Sequence, residues 1–196
     1  QNQTSDGDVI LRVNDGGVAT TVATLDGATA TLQMSADLLN AQADGVGNIG
    51  SSTVGFNTIH AKATSAQYAD LAERFEADTI YSAGTVVELG GTKEVTVAQQ
   101  DLTDAVFGVI STQAAYLMNG SAGSNETHPA IAMSGRVPVR VTGTVEKGDR
   151  LVSAGNGIAR SAKQGEANAF NVIGRALETK SSAKEGTVEA IVTIPS

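Results

Sequence analysis

Residues 48–91 constrain the architecture more than any other part of this chain. They read NIGSSTVGFNTIHAKATSAQYADLAERFEADTIYSAGTVVELGG. A Gly-punctuated extended segment leads into a short amphipathic stretch, and that stretch leads into residues of alternating polarity. Thr64 and Gln67 fit a capping box. Tyr68, Leu71, Ala72 and Phe75 then follow at i, i+3, i+4 and i+7, the spacing of one helical face. The pattern predicts one helix over 64–76. A helix this short is not stable alone, so its face must dock, either on the domain that follows or on its own copies around a symmetry axis. Those four residues are therefore the expected oligomer interface. The expected fold is mainly β in three parts: a β-rich stalk over 1–60, a linking helix over 61–78, and a small β-barrel or sandwich head over 79–196.

The stalk is expected from strand and turn signals. Residues 8–13, 18–25 and 28–34 read as strands rich in Val, Thr and Leu. Asn14-Asp15-Gly16-Gly17 and Asp26-Gly27 separate them, and these residue types tolerate the positive φ of tight turns. Residues 36–43 fit a helical turn or a strand pair equally well. Residues 56–61 alternate apolar and polar, the period of a half-exposed strand. With so few large side chains, such a sheet buries too little to stand alone. Partner copies of the chain, as a homotrimer or another parallel homo-oligomer, would cover its small apolar faces and its strand edges.

From residue 79 onward, strand signals recur at 85–89, 94–98, 106–111, 130–133, 137–142, 151–153, 158–161, 172–177 and 187–194. Many short strands at this spacing suggest a barrel or sandwich. Val137, Val139 and Val141 alternate with Pro138, Arg140 and Thr142, and Val188, Ala190, Val192 and Ile194 show the same period. These should point inward. Gly155-Asn156-Gly157 should close a hairpin, and 117–128 reads as a polar surface loop.

The composition narrows the chemistry. Aromatics are 4 % and Trp is absent, so a core is built from Val, Ala, Leu and Ile. Acids outnumber bases 21 to 13, a formal charge of −8, which repels phosphate backbones and argues against a nucleic-acid partner. The absence of Cys excludes disulfides and thiolate metal sites. No apolar run approaches the about 20 residues of a membrane span. His60 and His128 are the only histidines and lie far apart in sequence. Asp6-Gly7-Asp8 lacks the further oxygen ligands of a calcium loop. Asp101 with Asp104, and Gly148-Asp149-Arg150, read as solvated turns. No phosphate-binding loop and no Ser-His-Asp set stands out. The chain is expected to be no enzyme and to hold no cofactor or metal. Three Asn-X-Ser/Thr triplets begin at Asn2, Asn119 and Asn125, and in a secreted product these are glycan acceptors.

The fragments NIGSS, FNTIHA, QYADLAE and AGTVVELGG, in that order, resemble virion fibre and tail-fibre proteins of tailed phages, especially those infecting marine cyanobacteria. Across the C-terminal half, FGVISTQAAYLMN at 107–119, AMSGRVPVRVTGTVEKGDRLVS at 132–153, NVIGRALE at 171–178 and GTVEAIVTI at 186–194 resemble the C-terminal heads of such fibres. The resemblance implies a homotrimeric, rigid virion appendage with a role in particle structure or host-surface contact, and it carries over no defined receptor site. The layout QYADLAE, GTVVELGG, VFGVIST also resembles, more faintly, an autoproteolytic chaperone domain at the ends of some phage appendages. A third reading is a glycosylated extracellular fibril subunit of a cell, joined by strand addition.

Overall fold

The structure, a computed structural model, describes residues 4–39, 48–51, 53–59 and 69–193. Every regular element among them is a strand. The chain divides into two compact units, Gln1–Ile59 and His60–Ser196.

The first unit is a three-stranded antiparallel sheet of β1 (Val9–Asp15), β2 (Val18–Asp26) and β3 (Thr31–Met34), in that spatial order. Gly16 and Gly17 sit at φ 60° and 91° between β1 and β2, the left-handed pair that a two-residue hairpin turn requires. The Asn14 side-chain oxygen accepts from the Gly17 amide at 2.8 Å and fixes that turn. Asp26 shapes the next one, accepting from the Thr29 amide and from Gln33 Nε2, each at 2.9 Å. The turn occupies 27–30, so β3 starts at Thr31 rather than at the expected residue 28. No strand forms over 56–59, and 36–39 are neither helix nor strand. Short alternating runs without a partner strand have nowhere to place their backbone hydrogen bonds.

The second unit contains β4 (Asp70–Arg74), β5 (Val86–Leu89), β6 (Val95–Val97), β7 (Val106–Ile110), β8 (Tyr116–Met118), β9 (Ala130–Val141), β10 (Arg150–Ser153), β11 (Ala159–Ser161), β12 (Val172–Ala176) and β13 (Gly186–Thr193). Five of these close into a barrel in the order β9-β13-β12-β10-β11, and β11 returns to β9 through a parallel bridge, Ala159 to Val141. The expected 130–133 and 137–142 segments are one long strand, β9. Its second half serves the barrel and its first half carries β7 and β4, with β5 and β6 beyond β7 and β8 beyond β4. Val137, Val139, Val141, Val188, Ala190 and Val192 all lie inside, as their alternation predicts. Ile194 lies outside the described residues. Asn156 (φ 54°) and its two glycines close the β10–β11 hairpin as expected.

The linking helix is a correction. Where it is described, the segment is a strand, β4. Its backbone is paired on both sides, antiparallel to β9 from Asp70↔Gly135 to Arg74↔Ala130 and parallel to β8 through Leu71↔Tyr116. Gly135, at φ 111°, permits the approach, because a Cβ there would collide with the Ala69 carbonyl oxygen. On a strand, neighbours face opposite ways, so Ala72 is fully buried while Leu71 is 39 % exposed. Phe75 follows the strand and packs edge-on against Phe107, ring centroids 4.9 Å apart. Leu71, Ala72 and Phe75 therefore do not share a helical face. Tyr68, with the rest of 64–68, lies outside the described residues. Strand β8 opens a stretch expected to be loop.

Candidate interaction surface

The first unit has two unlike faces. Cross-strand partners share a face of a sheet, and the register puts Val9, Leu25 and Leu32 in one row and Leu11, Ala23 and Met34 in the next. Between Leu11 and Arg12 the register shifts, leaving Val22 as an extra residue on β2. Such a bulge changes which residues of the strand share a face. Without it, Val18 would point away from Leu25. With it, Val18 joins Val13, Leu11 and Leu25 on one side. The opposite side carries Arg12, whose Nε donates to Thr21 Oγ1 at 3.3 Å, and the Gln33–Asp26 pair.

The apolar side is open. Leu11, Val13, Val18, Leu25, Leu32 and Met34 are all exposed, Val18 by 65 % and Leu32 by 62 %, and only Ala23 of the whole sheet is a buried apolar residue. At about 1.5–3 kcal/mol for each such side chain fully buried, covering these half-exposed residues is worth about 5–9 kcal/mol per chain. That is comparable to the net stability of a small domain.

Most of the other residues singled out in sequence fall in the second unit. Asn119 and Asn125 converge on Arg74. Asn119 Nδ2 donates to the Arg74 carbonyl at 3.2 Å, and Arg74 Nη1 donates to Asn125 Oδ1 at 2.9 Å and to the His128 carbonyl at 2.6 Å. The Arg74 Nε is buried without a hydrogen-bond partner. These contacts pin the polar loop to the end of β4. Asn2 and His60 lie outside the described residues. Asp104 accepts from Asn168 Nδ2.

Asp101 belongs to a clamp that sequence reading missed. Arg160 meets both of its oxygens, at 2.8 and 3.0 Å, and also reaches Glu166 at 2.6 Å. The guanidinium hydrogen bonds hold the Asp101 and Glu166 carboxyls below the usual carboxylate range. The partners are 59 and 6 residues from Arg160 in sequence, and no local pattern displays the set. A cleft of about 210 Å³ lies beside buried Asp70, lined by Gln113, Arg136 and Glu189. Asp70 accepts from Ser111 Oγ at 2.6 Å, which ties β4 to the end of β7. Among the described residues, no group of His, Asp and Glu is placed to hold a metal ion, and no helix is long and apolar enough to cross a membrane.

No protein-family model and no curated protein matches the chain. Among solved structures it is similar to "Crystal structure of the pre-mature bacteriophage phi29 gene product 12", at 13 % identity and a TM-score of 0.49. The match covers 88 % of this chain and 24 % of that one, so the chain spans about a quarter of its neighbour. At that identity and score the likeness carries no argument about what this chain does.

Proposed function

We propose that this chain is a non-enzymatic structural subunit of a phage virion fibre, assembled as a parallel homotrimer. The observation that carries this is the apolar face of the first unit, which is exposed on the single chain and large enough to govern the stability of its sheet. A subunit whose fold is completed by its own copies is what a fibre is made of. The resemblance of residues 48–91 and of the C-terminal half to phage fibre proteins supplies the setting: a virion, outside the cell, with host-surface contact as the implied role. The valine-rich barrel supplies a self-sufficient second unit.

Immunogold labelling of purified particles with an antibody against the barrel tests the setting, and unlabelled particles would remove it. Intact mass of the same material tests the class. An unmodified full-length chain supports a structural subunit, a shortened one supports self-cleavage, and added hexose supports a glycosylated cellular fibril.

A further inference from the structure

We infer that three copies of the first unit join edge to edge, β3 of one chain beside β1 of the next, and close a barrel with the apolar face inside. This rests on the self-assembly proposed above and specifies its geometry.

Two features of the sheet are unfinished, and one arrangement of identical copies completes both. The first is the apolar face. The second is the pair of edges. Among the described residues no further strand pairs with β1 or β3. β3 reads Thr31-Leu32-Gln33-Met34, without charge, proline or bulge, so of the devices that normally blunt an edge it has only its short length. A foreign peptide added to one edge would leave the other edge and the apolar face open. A second copy brings both the missing edge and a matching face.

Direction is compatible. β1 and β3 each run antiparallel to β2, so they run parallel to one another. Copies related by rotation about an axis along the strands therefore present β1 and the neighbouring β3 in the same direction, as a parallel pair. The contact is head-to-tail around the ring, and such contacts close only at a definite number of copies. The number follows from the filling. A closed barrel of about eight strands has an interior that side chains just fill, and larger ones leave a lumen. Three copies of a three-stranded sheet supply nine strands. Two copies fall well short, and four open a channel lined by Leu and Val. Bulging at Val22 serves the same end, because it brings the apolar residues of both halves of β2 to the inside of the ring.

The chain contains no cysteine, so engineered pairs report cleanly. Ile10 and Gln33 lie in one row on the polar face, with Thr24 between them. Two strand spacings, about 9–10 Å, separate them within a chain, beyond the Cα reach of a disulfide. The double variant Ile10→Cys/Gln33→Cys, and Arg12→Cys/Gln33→Cys as a second register, would be oxidised in the full-length protein. Denaturing gels and light scattering would then be read together. A cross-linked ladder ending at three chains, from a three-chain particle, is the expected result. A three-chain particle in which neither pair cross-links, nor Arg12→Cys/Thr31→Cys as the wider stagger that barrel closure demands, would overturn edge joining and leave self-assembly standing. A ladder running past three chains would overturn closure. Single chains in solution would overturn both readings.

Discussion

The two units solve the same problem in opposite ways. Both are mainly antiparallel β-structure with small apolar side chains. In the second unit the five strands return on themselves, and Val137, Val139, Val141, Leu151, Ile173 and Val192 are shut away from water by the same chain. In the first unit three strands leave two edges without a partner among the described residues and one apolar face exposed. Alternation alone does not make a domain. Closure does, and in the proposed assembly copies of the chain supply the closure that three strands alone lack.

The comparison breaks most readily at the open face. Leu11→Asp with Leu25→Asp places two charges in that face and should weaken assembly by more than the about 1.5–3 kcal/mol per chain that covering the exposed halves of two leucines is worth, because two carboxylates must also lose water. Light scattering should report single chains, while the barrel's thermal transition stays in place. In the second unit the dependence reverses. Ile173→Ala empties a fully buried site and should cost about 2–5 kcal/mol, seen as a lower barrel melting temperature with unchanged particle mass. Gly17→Val forces a β-branched residue to φ 91°, at a cost of about 1–3 kcal/mol. It should weaken the first sheet and leave the barrel untouched.

The smallest effect belongs to the Arg160 clamp. Asp101 is half exposed, and Arg160→Ala should cost about 1 kcal/mol or less, as ion pairs near a surface do. Its pH dependence has a definite sign. Asp101 and Glu166 titrate lower in the folded chain than in the unfolded one, so the stability they contribute is present at neutral pH. It is lost as pH falls below the ordinary carboxylate range and through their lowered values. Melting curves in acid should show the variant losing less stability on acidification than the parent.

Much of the barrel is legible in the sequence, because Val137–Val139–Val141 and Val188–Ala190–Val192 keep a strict period of two against polar neighbours. The hairpin turns are legible for a similar reason, since Asn-Gly and Gly-Gly pairs carry their conformational preference locally. The strand β4 is not. Five residues hold too few periods to separate strand from helix, and the partners that settle the matter are Tyr116 and Gly135, far away in sequence. The face of the first sheet is only half legible. Val18 and Leu25 have opposite parity, and the bulge that reconciles them depends on pairing with β1, which no single-strand pattern displays.

Amide hydrogen exchange of the full-length chain across a dilution series measures the contrast between the units directly. Amides of β1 to β3 should lose protection as the protein is diluted, while those of β9, β12 and β13 keep theirs at every concentration, because only the first sheet depends on other copies. Protection of β1 to β3 that persists undiminished in a single-chain particle would contradict the account.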